Sequence, residues 1–486
     1  MRNISSGASY SGASYSGASY SDESSIAAFA TTPGNSALTI IRCTGKGSIE
    51  LAAKVFSPDS KLLRAEGNTV VHGWIVSADG KNKQVLVDEV LVSVFRAPKS
   101  YTGEDSLDIS CHGGPAAGKA VMDALKSAGF RDALPGEFTF RAFINGKLDL
   151  TRCESVMELV SAKTDESRRN AVSRLSGSLF NEINDIKKQL VQVLAGAEIF
   201  LDYSEDEITA EADEVAGMLP NREIAYTALE RLKKLSASWQ MERLYQEGVT
   251  VVIAGRPNAG KSSLFNSFLK EDRSIVTDIP GATRDWIEAW ISIEGIPIRL
   301  VDTAGLRETV DSVEKIGVER ARELINEAHL VLYLIDGAQG LTDEDREFIS
   351  EYVAQSKQCL VLWNKADIAK FNHGENSYYI LPVSSKTGEG LAELTTAIAT
   401  ALLAPLETSA IGTAAEGKVG TARQKKLVDV ACAVLEEALP MAEREEPLDL
   451  IAPLLREAVN ALGEITGEVS SADILNEMFS RFCVGK

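Results

Sequence analysis

Gly255-Arg256-Pro257-Asn258-Ala259-Gly260-Lys261-Ser262 follows directly on the apolar, β-branched run Val249-Thr250-Val251-Val252-Ile253-Ala254. Such a run reads as a buried strand. After Lys261, Ser262-Ser263-Leu264-Phe265-Asn266-Ser267-Phe268-Leu269 places its apolar residues at helical spacing. Strand, glycine-rich loop and helix in that order are the context a phosphate-binding loop requires. Backbone N–H groups of the loop, Asn258, Ala259 and Gly260 among them, wrap the β-phosphate, and the helix start adds its positive dipole end. Lys261 is expected to reach the β- and γ-phosphates, and the hydroxyl of Ser262 to ligate Mg²⁺ with Ser263 beside it.

Three further stretches follow in a fixed order. Asp302-Thr303-Ala304-Gly305 ends the strand-like Ile298-Arg299-Leu300-Val301, where Asp302 would hold Mg²⁺ through water and the Gly305 N–H would meet the γ-phosphate. Asn364-Lys365-Ala366-Asp367 ends Cys359-Leu360-Val361-Leu362-Trp363. A carboxylate at Asp367 can accept from N1–H and the 2-amino group of guanine, a donor pair that adenine lacks. Ser384-Ser385-Lys386, after Tyr379–Val383, is assigned to the base O6 through its backbone. Together the four predict a GTP-specific site and GTP hydrolysis.

The hydrolytic parts are less ordinary. Leu306 stands where related nucleotide hydrolases carry a water-orienting Gln. The candidates to replace it are the polar run 307–314 and the loop Thr277-Asp278-Ile279-Pro280-Gly281-Ala282-Thr283-Arg284-Asp285, with Thr283 a natural Mg²⁺ ligand and Asn258 a candidate for a monovalent cation. By spacing alone, Glu308 and Glu314 read as a solvated face.

The sequence resembles the MnmE (TrmE) family of tRNA-modification GTPases. Beyond the nucleotide motifs, the resemblance rests on Thr102-Gly103-Glu104-Asp105 with His112-Gly113-Gly114, and on Pro135-Gly136-Glu137-Phe138-Thr139 with the block Arg141–Leu150. It extends to Leu201–Ile208 and the terminal Phe482-Cys483-Val484-Gly485-Lys486. The resemblance implies potassium-stimulated hydrolysis by G domains that pair face to face. K⁺ would be held by Asn258 with Thr277, Ile279 and Ala282, Mg²⁺ by Ser262 and Thr283, and Glu314 would organise the attacking water. The family has Gly-Thr-Thr-Arg-Asp where this chain has Gly281-Ala282-Thr283-Arg284-Asp285. It also implies a tetrahydrofolate derivative (5-formyl or 5,10-methylene) bound by Arg42, Asp108, Lys147 and Lys486, with Asp108 where the family usually has Glu. Cys483 is a candidate catalytic thiol and, equally, an incidental exposed one. The implied partners are a second copy of the chain, tRNA, and a flavoprotein (MnmG, or GidA) in a heterotetramer that modifies C5 of the wobble uridine.

Length and composition frame these expectations. The chain has 486 residues, enough for about three domains. The expected fold is multidomain α/β. It divides into a disordered low-complexity tail (1–25), an α+β folate-binding-like domain (26–149), a discontinuous all-α domain (150–247 and, with a linker, 405–486), and an inserted Ras-like P-loop G domain (248–404). Six cysteines without C-x-x-C spacing suit a reducing cytosol rather than a disulfide framework. No apolar run approaches the ~18 residues of a membrane span, and the expected location is cytoplasmic. A net charge of −20 opposes encounter with RNA, so a basic partner is expected to supply most of that affinity. The competing reading is a ribosome-assembly switch GTPase of the Era or Der type, which would carry a basic module or tandem G domains. Neither is visible.

Overall fold

The computed structural model describes residues 20, 22–32, 34–78, 84–202, 219, 221–270, 287–303, 323–354, 358–371, 379–407 and 417–485. By contact the chain forms two compact units: 1–157 with 462–486, and 158–461.

The first unit is built on a seven-stranded sheet ordered β3-β4-β5-β6-β2-β1-β7. Its strands are β1 (Ile26–Phe29), β2 (Leu38–Thr44), β3 (Phe56–Ser57), β4 (Thr69–Ala78), β5 (Gln84–Phe95), β6 (Ser106–His112) and β7 (Arg131–Asp132). Its helices are α1 (Ser48–Ala53), α2 (Asp59–Arg64), α3 (Pro115–Ala128) and α4 (Glu137–Ile144), with α5 (Leu150–Ser161) following. Period-two patterning sets the core face: Val90, Val92 and Val94 of β5 are buried with Ile41, Ile109, Val121 and Leu125, while Glu89 and Leu91 face out.

One sequence expectation changes here. Tyr20 and 22–25 belong to the expected disordered tail, yet Tyr20 is buried. Its ring lies 5.0 Å from that of Phe140 and its hydroxyl donates to Pro135 O at 2.7 Å. Asp22 accepts from Arg131 Nε at 3.0 Å. An aromatic side chain and a carboxylate with partners elsewhere override a composition that predicts disorder; 1–19 and 21 lie outside the described residues. At the other end, 462–485, helical over most of their length, pack within this unit. The reason is aromatic: Phe479 of α14 (Ala472–Ser480) and Phe482 are buried with Phe140, Leu150 and Tyr20.

In the second unit a six-stranded sheet is ordered β13-β12-β11-β8-β10-β9. It comprises β8 (Val249–Gly255), β9 (Ile287–Ile293), β10 (Ile296–Asp302), β11 (Leu330–Asp336), β12 (Cys359–Asn364) and β13 (Ile380–Pro382). All neighbours run parallel except β9, which is antiparallel to β10. Around it lie α9 (Lys261–Lys270), α10 (Asp343–Ala354) and α11 (Leu391–Glu407), the last running through Pro405 where linker was expected. The helical elements are α6 (Asp165–Leu175), α7 (Ser178–Asp202), α8 (Arg222–Glu247), α12 (Ala422–Glu443) and α13 (Leu448–Thr466). The units divide within α5 and α13.

A buried ionic cluster ties the chain running into the sheet to the chain returning from it. Arg174, 1% exposed, donates to Glu158 Oε2 at 2.7 Å and to Glu242 Oε2 at 2.6 Å. Lys418 Nζ is 3.2 Å from Glu242 Oε1, which also accepts from Asn170 Nδ2 at 2.9 Å. Nearby, Lys163 Nζ stands 3.4 Å above the Trp290 ring of β9.

Candidate functional site

The nucleotide motifs converge because β8, β10, β11 and β12 run parallel and present their carboxyl ends at one edge of the sheet. β8 lies between β10 and β11, and in open α/β sheets ligands bind beyond the carboxyl ends of the strands at such a central position. Gly255 adopts φ 140°, and a Cβ there would come within 2.4 Å of Leu334 O. Only glycine lets the loop leave β8 so close to β11. Asn258 takes the left-handed conformation (φ 64°), which Asn tolerates. Lys261 heads α9, its ammonium donating to Gly255 O at 2.9 Å and Arg256 O at 2.8 Å. Ser262 Oγ donates to Asp302 Oδ2 at 2.7 Å. Asp302 is fully buried, and Thr303 Oγ1 donates to Ile253 O at 2.8 Å. A hydroxyl and a carboxylate in contact below a phosphate loop are a hard-oxygen donor set that fits Mg²⁺.

The residues assigned to the base in sequence are held as firmly. Asn364 Nδ2 donates to Ala259 O at 2.7 Å, and its Oδ1 accepts from Ser385 N at 3.1 Å. Asn364 thereby laces the phosphate loop to the Ser384–Lys386 turn, and a Cβ on Gly260 would strike Asn364 Nδ2 at 2.1 Å. Ser384 Oγ donates to Asp367 Oδ1 at 2.8 Å, and Lys365 Nζ to Asp336 Oδ2 at 2.8 Å. The structure thus gathers Asn258, Ala259, Gly260, Lys261, Ser262, Ser263, Asp302, Thr303, Asn364, Lys365, Asp367, Ser384, Ser385 and Lys386 around one edge of the sheet. Thr277, Asp278, Ile279, Pro280, Gly281, Ala282, Thr283, Ala304, Gly305 and Glu314 lie outside the described residues.

In the first unit, Arg42 and Asp108 face each other across β2 and β6. Arg42 Nε donates to Asp108 Oδ1 at 2.9 Å and Nη2 to Oδ2 at 3.1 Å, a two-pronged pair about a quarter exposed on each side. The bonds to Asp108 hold the Arg42 guanidinium above its ordinary value. Tyr101, its phenol pushed up mainly by burial, bonds Thr139 Oγ1 at 3.0 Å. Lys147 Nζ donates to Pro98 O at 3.0 Å. The tail runs beside β1: Gly136 N donates to Cys483 O at 3.3 Å, and a Cβ on Gly485 would meet Phe29 O at 2.4 Å. Ala28, next to Phe29, is the register partner of Arg42. Cys483 is exposed, and Lys486 lies outside the described residues. The Pro135–Leu150 block is structural at its centre. Buried Glu137 accepts from Arg131 Nη2 at 2.6 Å and Arg141 Nη2 at 2.8 Å, and Arg141 Nη1 reaches Glu104 at 3.1 Å.

Comparison with known proteins bears directly on this pair of sites. Residues 150–483 match the family model described as "MnmE helical domain", and residues 25–147 the one described as "GTP-binding protein TrmE N-terminus". The chain is 44% identical over 472 residues to the tRNA modification GTPase MnmE of Treponema denticola, covering 95% of this chain and 98% of that one. The chain belongs to the MnmE family of tRNA modification GTPases. Its counterpart from Carboxydothermus hydrogenoformans is 41% identical over 474 residues, 96% of this chain and all of the relative. Among solved structures, the G domain of the T. maritima FeoB iron transporter matches 32% of this chain and 98% of its own at 27% identity and TM-score 0.24, too loose a superposition to build on.

Within this MnmE-family chain, sequence reading overlooked the residues that hold the phosphate loop from behind. Arg256 lies inside the motif without an assigned task, and Asp345 follows Thr342 at capping-box spacing, Thr342-Asp343-Glu344-Asp345. That spacing was the available signal. Nothing in sequence links it to a loop about 85 residues earlier.

Proposed function

We propose that this chain hydrolyses GTP to GDP and phosphate during modification of tRNA, with K⁺ as the hydrolytic charge stabiliser. The observation that carries the reading is the Asp367 carboxylate, oriented by Ser384 and laced through Asn364 to the loop that holds Lys261. A carboxylate so fixed selects guanine, and an ammonium so fixed serves the β- and γ-phosphates.

In this reading Ser262 and Thr283 ligate Mg²⁺, which neutralises charge between the phosphates. Asn258, with Thr277, Ile279 and Ala282, holds K⁺ where other hydrolases use an arginine, and Glu314 organises the attacking water. Arg42, Asp108, Lys147 and Lys486 bind a reduced folate that supplies a one-carbon unit. The chain acts as a homodimer with a flavoprotein of the MnmG type to build an aminomethyl group on C5 of the wobble uridine. The acidic chain supports this division of labour, since a partner must bring most of the positive surface that RNA requires.

The test is nucleoside analysis of tRNA from cells lacking this chain, complemented by the native chain or by Glu314→Ala. Loss of the C5 modification, restored only by the native chain, is the expected result. Normal C5 modification of wobble uridine in the deletion strain would remove the reading, and turnover equal in K⁺ and Na⁺ would remove its potassium part.

A further inference from the structure

Arg256, the second residue of the phosphate loop, joins that loop to the start of α10, a link the motif does not contain. Its guanidinium is moored at the start of α10. Nη1 donates to Thr342 Oγ1 at 3.3 Å and stands 3.9 Å from Asp345 Oδ2, while Nε is 3.5 Å from Glu344 Oε2. Asp345 is a buried carboxylate with its own fixed surroundings. It accepts from Thr342 Oγ1 at 2.7 Å, Thr342 N at 3.0 Å and the Tyr333 phenol at 2.9 Å. Burial, above all, pushes that phenol well up and keeps it a donor. Tyr333 lies on β11 in register with Ala254, the residue before the loop begins, and stacks on Phe348 of α10 at 4.4 Å. The mooring therefore belongs to the sheet and α10 and not to the loop it restrains.

The other end of Arg256 is its carbonyl. That oxygen accepts from Lys261 Nζ at 2.8 Å and from Ala259 N at 3.3 Å, and with Gly255 O it fixes two directions of the ammonium. We propose that Arg256 is a positioning residue for Lys261: its side chain, anchored through Thr342 and Asp345, holds the peptide whose carbonyl aims the ammonium at the phosphates. The inference rests on the GTP reading above and deepens it. A guanidinium is suited to the task because its planar fork meets a hydroxyl and two carboxylates together. An arginine merely decorating the surface would leave the loop's main chain indifferent to its loss.

The experiment compares the native chain with Arg256→Ala, Arg256→Lys, Asp345→Asn and the Arg256→Ala/Asp345→Asn double variant, measuring steady-state GTP hydrolysis, GDP affinity and thermal melting without nucleotide. Lys261 serves ground state and transition state alike, so Arg256→Ala should raise KM for GTP and Kd for GDP about tenfold while kcat stays within about threefold. Arg256→Lys should recover most of that loss. Asp345→Asn should reproduce the KM rise, and the double variant should be no worse than the worse single, because both act through one carbonyl. Unchanged KM and GDP affinity in Arg256→Ala, additive losses in the double variant, or a fall in kcat at constant KM would each overturn the proposal. Should Arg256→Ala not fold, Asp345→Asn and Arg256→Lys decide it by the same numbers. A native chain that bound no GDP would instead refute the GTP reading itself.

Discussion

Ser384 Oγ donates to Asp367 Oδ1 at 2.8 Å while accepting from Thr387 N at 3.2 Å. Ser384 is fully buried, so its hydroxyl has one orientation that satisfies both bonds, and through it holds one oxygen of the Asp367 carboxylate. In the proposed GTP site, base recognition would thereby be prepared by Ser384, two residues past the end of β13, and not by Asp367 alone.

Asp367→Asn tests that preparation. The amide nitrogen meets the guanine 2-amino group with donor against donor, and GTP affinity should fall at least about a hundredfold. Xanthine carries an oxygen at position 2, which accepts from the new amide, so XTP should become the better nucleotide in a competition assay. Ser384→Ala should weaken GTP by a smaller factor, about three- to tenfold, because it loosens the carboxylate without removing it. Equal GTP and XTP affinities in both variants would show that Asp367 does not read the base.

Much of this site was legible because its parts are contiguous in sequence and each motif ends a strand. The convergence of Gly255, Asp302 and Asn364 needs only parallel strands, which alternating strands and helices imply. The links between motifs were not legible. Asn364 reaching Ala259 and Arg256 reaching Thr342 join residues 105 and 86 positions apart, and only the sheet order brings them together. The first unit shows the same limit. The pairing of Arg42 with Asp108 follows from strand register, while Tyr20 was hidden in a repeat whose composition predicts disorder although its ring packs on Phe140.

The Arg174 cluster makes a stability prediction. Arg174→Ala leaves Glu158 and Glu242 buried without their shared cation and should cost about 3–5 kcal/mol, read as a lower urea midpoint. Replacing all three together, Arg174→Met with Glu158→Gln and Glu242→Gln, should recover most of the loss, since no buried charge is then stranded except where Lys418 meets position 242. A single variant that unfolds at the native midpoint would mean the cluster is solvated.

The cysteines should separate cleanly by reactivity. Burial pushes Cys111 up to about 11 and Cys359 and Cys432 to about 12, and pushes Cys43 and Cys153 upward as well. Cys483 is exposed. A disulfide reagent at pH 8 should therefore find one fast thiol per chain, lost in Cys483→Ser. The same shifts set an alkaline limit. Folded thiols that hold protons above the ordinary 9.0 contribute stability that is intact below pH 9 and is lost as pH rises toward about 12, so the urea midpoint should fall across that window.

Arg42 and Asp108 satisfy each other through two charge-assisted bonds, so a folate that takes Asp108 for its pterin edge and Arg42 for an anionic group must first divide them. That competition makes a specific demand on side-chain length. Asp108→Glu adds one methylene and would let the carboxylate reach the ligand while keeping one prong on Arg42. Binding of 5-formyltetrahydrofolate to the full chain should then tighten about three- to tenfold. Asp108→Ala should lose more than about tenfold, because a donor edge is left without an acceptor. Arg42→Lys should also weaken binding, since an ammonium cannot reproduce the planar fork that orients Asp108. If Asp108→Glu and Asp108→Ala bind equally, the carboxylate belongs to the ion pair alone and the ligand site lies elsewhere.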